Sequence, residues 1–295
     1  MTDALEDALP GVLQGTKLVT LAQNVPGPAA ASRLQDLGAS AIKILEPPSG
    51  DPLASANPAW YGTLVAGQKV VQLDLKDAPD RARLDEYLAE ADVLLTSSRP
   101  SSLARLGLGQ EKLRGRYPRL CYVAITGYPA PREDAPGHDL TYLAEWGLLS
   151  PPDMPRTLLA DLGGAERAVS ATLALLLERA QGRGSGYAEV ALSEAAAFFA
   201  GPLAYGITKP GAPLGGGFPG YSLYEARDGW ISVAVLERHF WERLLLELDL
   251  EDATREDLEE AFMRKTAKEW EQWAKERDLP LAALRDVPQE KEETR

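Results

Sequence analysis

Five short runs of β-branched and apolar residues, separated by stretches with helical periodicity, constrain the fold of this chain more than any other feature. The runs cover residues 17–21, 41–45, 70–73, 92–96 and 120–126. Between two of them, Leu84, Tyr87 and Leu88 recur at the spacing of an amphipathic helix. Because strands that alternate with helices form parallel βα units, the pattern predicts an α/β fold with a Rossmann-like parallel sheet.

The helices that should cover this sheet have recognisable ends and apolar faces. Pro28 stands in the opening turn of a first helix, which Gly38 ends. A longer helix over residues 165–179 carries Val169 and Leu173 on its apolar side. The single cysteine, Cys121, lies in the last apolar run and is predicted to be a buried strand residue.

A glycine-rich segment, Gly182-Arg-Gly-Ser-Gly186, interrupts this pattern with residues that permit positive φ. We therefore predict a large, Rossmann-like domain over residues 1–186 and a smaller α+β domain over residues 187–295. In the smaller domain the patterns predict a helix at 189–204, a loop at 206–220, a strand at 230–235 and one amphipathic helix at 254–278, with Phe262, Trp270 and Trp273 facing the core.

Composition excludes several classes of partner. The chain has 295 residues, 45% of them hydrophobic, which suffices for two domains with their own cores. A net charge of −13 argues against nucleic acid and anionic membrane surfaces, and no apolar run is long enough to span a bilayer. The lone cysteine and an N-terminus without a basic or apolar leader predict a cytoplasmic protein.

No metal or nicotinamide cofactor is expected. The two histidines, His138 and His239, lie far apart in the sequence and offer no ligand cluster. The first strand is not followed by GxGxxG, and no phosphate-binding P-loop occurs, so a Rossmann-like sheet here need not bind NAD.

His138 and Asp161 are the candidates for acid and base chemistry. An imidazole titrates near neutrality, and a carboxylate partly withdrawn from water can be raised toward it, so the two groups could pass one proton. The alternatives are a structural histidine and, since Asp161 precedes Gly163 and Gly164, a helix N-cap aspartate.

The segments around these residues resemble the two active-site segments of the 2-methylacyl-CoA racemases, which belong to the family III CoA-transferases of CaiB/BaiF type. The two segments are Pro136-Gly-His-Asp-Leu-Thr-Tyr142 and Leu158-Leu-Ala-Asp-Leu-Gly-Gly-Ala165. Other segments follow in the order of that family, among them Asp74-Leu-Lys76, Arg105-Leu-Gly-Leu-Gly109 and Gly182-Arg-Gly184. The resemblance extends over residues 9–245 and implies the same fold.

The resemblance implies that His138 and Asp161 move the α-proton of a 2-methylacyl-CoA through an enolate. It also implies that Glu237, which follows a strand end, supports the histidine; a solvated strand-end carboxylate is the alternative. We expect the backbone amides of Gly163 and Gly164, placed at a helix start, to stabilise the enolate oxygen.

Coenzyme A, as the acyl-CoA substrate, is the ligand that the resemblance implies, and the large domain over residues 1–186 is expected to bind it. Arg99 and Lys69 stand where the family has basic residues near the nucleotide phosphates, and Arg105 is a weaker candidate. Charged hydrogen bonds to phosphate are the physical reason, although any surface cation would look the same in a sequence. Tyr142, in the segment of His138, is expected to line the pocket.

Two other functions compete with the racemase. In a CoA-transferase, Asp161 would be a nucleophile that forms a covalent adduct while CoA moves between carboxylic acids. His138 discriminates between them, because a racemase needs it and a transferase site typically does without it. The third possibility is a catalytically silent acyl-CoA binder.

The resemblance also bears on assembly. Family chains continue with a C-terminal segment that returns to the large domain and helps to interlock two subunits. Because this sequence ends at Arg295, we expect that segment to be absent and the interlocking to be in question. A homodimer remains the expectation.

Overall fold

The computed structural model describes residues 11–285, which divide into two compact units, the first ending at Ala200 and the second beginning at Gly201. The expectations about an N-terminal leader and a C-terminal return segment fall outside the described residues. Within residues 11–285, no helix combines the length and the apolar character that crossing a membrane requires.

A six-stranded, wholly parallel sheet forms the centre of the first unit. Its strands are β1 (Lys17–Thr20), β2 (Ser40–Leu45), β3 (Lys69–Gln72), β4 (Val93–Thr96), β5 (Cys121–Thr126) and β6 (Tyr187–Ala191). Their order is β3-β2-β1-β4-β5-β6, and every neighbouring pair is parallel. The order confirms the predicted Rossmann-like fold, and the first five strands confirm the five runs found in the sequence.

Helices cover both faces of this sheet. They are α1 (Pro26–Asp36), α2 (Pro52–Ala56), α3 (Pro58–Leu64), α4 (Ala78–Glu90), α5 (Pro100–Arg105), α6 (Gln110–Arg116), α7 (Asp139–Glu145), α8 (Leu159–Ala180) and α9 (Leu192–Phe199). One core packs α1 and α8 against the sheet, and the other packs α4, α5 and α6 against the opposite face. Every residue of β4 and β5, Cys121 included, is therefore buried, as expected for strands covered on both faces.

The boundary between the units differs from the predicted one after Gly186. Residues 187–200 belong to the first unit, because β6 pairs with β5 from Tyr187 to Ala191 and extends the parallel sheet. The prediction of one helix over residues 189–204 was wrong for the same reason. Strand β6 passes directly into α9 at Leu192, with no glycine or proline between them to mark the change.

The second unit is α+β, as predicted. Its antiparallel sheet has the order β7-β8-β9, with strands β7 (Tyr221–Ala226), β8 (Gly229–Ala234) and β9 (Leu281–Ala283). Its helices are α10 (Gly201–Ala204), α11 (Arg238–Leu248), α12 (Arg255–Phe262) and α13 (Ala267–Lys275). One hydrophobic core lies between α11, α12, α13 and the sheet.

The single helix predicted over residues 254–278 is two helices, α12 and α13. The break lies at Thr266, whose hydroxyl accepts from the Glu269 amide at 3.2 Å while the Glu269 carboxylate accepts from the Thr266 amide at 2.8 Å. This reciprocal capping starts a new helix, and its Thr-x-x-Glu signature was present in the sequence. Phe262 and Trp270 are buried and Trp273 is half-buried against the same core, as predicted.

A fully buried ion pair joins β2 to the loop that precedes α2. The Lys43 ammonium donates to the Asp51 carboxylate at 2.9 Å and also to the Ala22 carbonyl. Burial lowers the pKa of Lys43, and the negative charge of Asp51 opposes that shift. The other Asp51 oxygen accepts from the amides of Asn24 and Leu53, each at 3.0 Å, so one carboxylate organises three chain segments.

Replacing Lys43 with Met should lower the free energy of unfolding by about 3–5 kcal/mol, because it leaves the Asp51 charge buried without its partner. Urea unfolding at neutral pH measures the loss. Lys17→Met is the matched control: the Lys17–Glu90 pair is exposed, so its removal should change stability little. Equal stabilities for the two variants would contradict a structural role for the buried pair.

Candidate active site

A pocket of about 250 Å³ opens at the carboxyl edge of the parallel sheet, within the first unit. Strands β1 and β4 are neighbours there, although the chain leaves them toward opposite ends of the sheet. Such a switch point leaves a crevice between the two departing loops, and open α/β sheets bind their ligands there. The lining includes Thr126, the last residue of β5, and residues of the loops after β1, β4 and β5: Gln23, Asn24, Ser97, Ser98, Arg99 and Gly127.

The loops after β1 and β4 are fastened to each other. The Ser97 hydroxyl accepts from the Gln23 amide at 2.7 Å and donates to the Gln23 carbonyl at 3.3 Å. Asn24 has a φ of 62°, a conformation that asparagine tolerates, and its amide donates to the buried Asp51 carboxylate. These two lining loops are therefore fixed by hydrogen bonds between buried or half-buried side chains and the backbone.

His138 and Asp161 both line this pocket. His138 lies at the N-cap of α7, where its backbone amide donates to the Thr141 hydroxyl at 3.0 Å. Its imidazole is exposed. Asp161 is the third residue of α8 and is half-buried. The structure thus brings together the two residues that the sequence identified as an acid/base pair.

The carboxylate of Asp139 links the two helices that carry this pair. Asp139 is the first residue of α7 and is buried. Its Oδ1 accepts from the backbone amides of Ala160 at 2.7 Å and Asp161 at 3.0 Å, which are the second and third residues of α8. These are the amides that an N-cap side chain normally satisfies, so Asp139 caps α8 from a different helix. Asp161 is therefore not the N-cap.

Asp161 is also the most perturbed carboxyl group of the pocket. Burial raises its pKa to about 7, and the negative charge of Asp139 adds to the shift. An aspartate with such a pKa exists in both protonation states at neutral pH. It can therefore give or take a proton, which an ordinary surface aspartate does not do efficiently.

Tyr142 forms one wall of the pocket, as predicted. Its ring is buried and packs edge to face on Tyr128, with the ring centroids 5.2 Å apart. Two glycines make room for it: a Cβ on Gly137 would lie 2.4 Å from the ring, and one on Gly127 would lie 2.5 Å from the hydroxyl. Burial, followed by the charge of Asp161, raises the pKa of the Tyr142 hydroxyl, which therefore stays protonated at neutral pH.

Gly163 and Gly164 do not have the predicted role. Helix α8 begins at Leu159, so both glycines lie beyond the first turn, where amides bond to carbonyls of their own helix. Their small size serves packing against α9. A Cβ would lie 2.2 Å from Phe199 at Gly163 and 2.2 Å from Leu192 at Gly164. The prediction that their amides stabilise an enolate oxygen was therefore wrong.

The three basic residues proposed to bind phosphate lie at three different places in the first unit. Arg99 follows β4, lines the pocket and is exposed; no ion-pair partner is found for it within residues 11–285. Lys69 begins β3 and lines a different cavity together with Lys17 and Ser40, which begin β1 and β2, so it lies at the amino edge of the sheet. Arg105 ends α5, bonds to Ser102 at 3.0 Å, and lies outside the pocket.

Glu237 lies in the second unit, exposed, at the N-cap of α11. Its support of His138 stays a prediction. Among the residues that the structure describes, no group of three or more His, Cys, Asp or Glu side chains is arranged to hold a metal ion.

Sequence reasoning missed two acidic residues of this region, Asp139 and Glu133. Asp139 stands beside His138 and starts a helix, which is a visible signal, but the helix that it caps lies well downstream in the chain. Glu133 stands in the loop between Pro129 and Pro136 and carried no pattern at all. It lines the pocket with one buried carboxylate oxygen.

Comparisons with known proteins agree on the family. The model of CoA-transferase family III matches residues 13–293. The chain is 28% identical to the cinnamoyl-CoA:phenyllactate CoA-transferase of Clostridium sporogenes over 324 residues, covering 92% of this chain and 77% of that protein. It is 30% identical to the alpha-methylacyl-CoA racemase of Mus musculus over 292 residues, covering 88% and 74%.

A solved structure shows the same architecture. The crystal structure of a hypothetical protein from Mycobacterium tuberculosis superposes with a TM-score of 0.79 at 26% identity, covering 92% of this chain and 84% of that one. The solved structure thus shares the fold of this chain, while the names of the two sequence relatives divide between racemase and transferase.

Replacing Gly137 with Ala should displace the Tyr142 ring and lower the free energy of unfolding by about 1–3 kcal/mol, the usual cost of overpacking. Thermal or urea unfolding measures it. Gly115→Ala in α6 is the control, because no atom lies within 4 Å of its added Cβ. That variant should gain about 0.5–1 kcal/mol from reduced backbone freedom. A lower stability of Gly115→Ala together with an unchanged stability of Gly137→Ala would show that Gly137 is not needed to make room for the Tyr142 ring.

Replacing Asp139 with Asn should lower the pKa of Asp161 below about 7, because the amide retains the capping oxygen but removes the like charge. A ¹³C-carboxyl NMR titration measures this pKa. The raised pKa means that folding takes up a proton between the ordinary aspartate pKa and about 7, so stability falls as pH rises through that window. In the Asp139→Asn variant, stability should fall over a narrower pH range. An Asp161 titration that stays unchanged would exclude electrostatic coupling between Asp139 and Asp161.

Proposed function

The chain belongs to CoA-transferase family III, and we propose that it is an acyl-CoA racemase that inverts 2-methylacyl-CoA thioesters by 1,1-proton transfer. The observation that carries the proposal is the placement of His138 and Asp161 in one pocket, with the pKa of Asp161 raised to about 7. Its relative in Mus musculus is named for this type of activity.

The reaction needs two groups that exchange roles. One takes the proton from the carbon next to the thioester, which leaves an enolate, and the other returns a proton to the opposite face. A neutral imidazole with a protonated carboxyl group, and an imidazolium with a carboxylate, contain the same number of protons. The pair can therefore start from either enantiomer, and both directions should share one bell-shaped pH profile.

The enolate oxygen needs a hydrogen-bond donor. Because the Gly163 and Gly164 amides are engaged within α8, we assign this role to the Tyr142 hydroxyl, which lines the pocket and stays protonated at neutral pH. A donor already in position for the developing charge lowers the barrier without reorganisation during the reaction.

The transferase alternative uses Asp161 differently. A nucleophilic aspartate attacks as the carboxylate, so protonation near pH 7 withdraws part of it from the reaction, and His138 has no task. The relative in Clostridium sporogenes is named a CoA-transferase, so an experiment must distinguish transfer from racemisation.

Incubation of the enzyme with a chiral 2-methylacyl-CoA in deuterated water tests the proposal. We expect deuterium at the α-carbon and loss of chirality without any carboxylic acid acceptor. His138→Ala and Asp161→Ala should each slow the exchange by about 10²–10⁴, the contribution of a positioned acid or base. His239→Ala is the matched control, since that histidine lies in the second unit, where its ring stacks on Phe240 at 4.0 Å.

A covalent intermediate on Asp161 would contradict the proposed racemase mechanism. Hydroxylamine trapping during turnover, followed by mass spectrometry of the peptide containing Asp161, detects an acyl or CoA adduct on that residue. We expect none. A hydroxamate at Asp161, together with CoA transfer to an added acid, would establish the transferase. CoA binding without either reaction would indicate a silent acyl-CoA binder.

Coenzyme A is proposed to place its phosphates near Arg99. Arg99→Ala should weaken CoA binding by about 1.5–3 kcal/mol, the contribution of a hydrogen bond to a charged group. The loss should shrink at high salt, because an exposed charge is screened. Calorimetric titration at two ionic strengths measures both effects. Arg105→Ala and Lys69→Ala, both outside the pocket, should leave the affinity unchanged; equal losses in all three variants would indicate nonspecific attraction.

The remaining proposals rest on the family alone. We expect a homodimer in the cytoplasm, with Glu237 supporting the catalytic histidine. Sedimentation analysis of the purified chain tests the oligomeric state directly.

A further inference from the structure

Two polar atoms of the pocket have no partner. Within residues 11–285, neither the Glu133 Oε2 atom nor the Thr126 hydroxyl makes a hydrogen bond, although both atoms are buried. Thr126, the last residue of β5, is 4% exposed. Buried polar groups are costly when unpaired, so two of them lining one cavity indicate partners that a ligand would supply.

The loop that carries Glu133 is anchored by the residues on either side of it. The preceding residue, Arg132, donates to the Glu145 carboxylate of α7 at 3.3 Å. The following residue, Asp134, accepts from the Ser101 amide in the first turn of α5 at 3.2 Å. Because its neighbours are anchored to two different helices, the loop has little freedom to turn Glu133 away from the pocket.

The chemistry of the two groups selects the ligand. A carboxylate accepts hydrogen bonds and repels phosphate, whereas a hydroxyl both donates and accepts. Phosphate is better placed at Arg99, the basic residue of the same pocket. What Glu133 can bind is an O–H or N–H group, and Thr126 can bond to the same group or to the acceptor next to it.

We propose that Glu133 and Thr126 form a polar subsite that binds a hydrogen-bond donor of the CoA thioester, either a hydroxyl or an amide N–H. The inference rests on the proposed function, because it takes an acyl-CoA as the ligand. Such a donor has two sources. The pantetheine arm carries amides and a hydroxyl in every CoA thioester, while a hydroxyl on the acyl chain would make the subsite a determinant of acyl specificity.

Calorimetric titration of the full chain with CoA, butyryl-CoA and 3-hydroxybutyryl-CoA distinguishes these sources. The variants are Glu133→Gln and Thr126→Val, each close in shape to the original residue. Glu111→Gln is the control, because it removes the same charge from the exposed first turn of α6. We expect Glu133→Gln to raise the dissociation constant about tenfold or more, the loss of a charged hydrogen bond, and Thr126→Val to raise it less.

Each outcome decides the proposal. An equal loss for all three ligands supports the pantetheine arm, and a loss confined to 3-hydroxybutyryl-CoA supports an acyl hydroxyl. Dissociation constants that stay within twofold of wild type in both variants overturn the subsite while leaving the proposed function intact. If the wild-type chain binds none of the three ligands, the proposed function and the subsite are both wrong.

Discussion

The Asp139 carboxylate, bonded to the first amides of α8, is the contact on which the candidate site depends. It joins the helix that follows His138 to the helix that carries Asp161, so the proposed acid/base pair is held by hydrogen bonds between two helices and not by either helix alone. The same carboxylate acts on the chemistry. Its negative charge adds to the effect of burial and keeps the pKa of Asp161 near neutrality. One buried group thus holds the start of α8 in position and adds to the shift that burial gives the pKa of Asp161.

The parallel sheet supplies the second constraint. The switch between β1 and β4 opens a crevice, but an unsupported crevice between loops would not keep its shape. Here the Lys43–Asp51 pair fixes the loop after β1, and Ser97 ties that loop to the one after β4. Burying the Lys43–Asp51 charge pair costs free energy of desolvation. That cost falls at the loop after β1, whose backbone must be rigid to shape a ligand site.

Packing decides what the glycines of this region do. Gly137 leaves space for the Tyr142 ring, while Gly163 and Gly164 leave space for α9. All three adjoin catalytic candidates in the sequence, and all three would look like flexible or anion-binding positions in a motif. Their roles are instead steric, because an added Cβ would clash with a side chain: Tyr142 at Gly137, Phe199 at Gly163 and Leu192 at Gly164.

The sequence by itself determined the parallel α/β architecture, because the strand and helix periods are local properties that burial on both sheet faces imposes on the chain. Its short motifs also indicated the family, which the comparisons confirmed, and named His138 and Asp161, which line one pocket and whose acid/base role stays a proposal. It did not reveal β6, whose passage into α9 carries no local signal. The break at Thr266 did have a local signal, the Thr-x-x-Glu capping box, but the amphipathic pattern that continues across it favoured a single helix. Only the tertiary structure placed Arg99 in the pocket and Lys69 outside it, started α8 before its glycines, and set Asp139 beside Asp161, because these facts depend on contacts between residues distant in the chain.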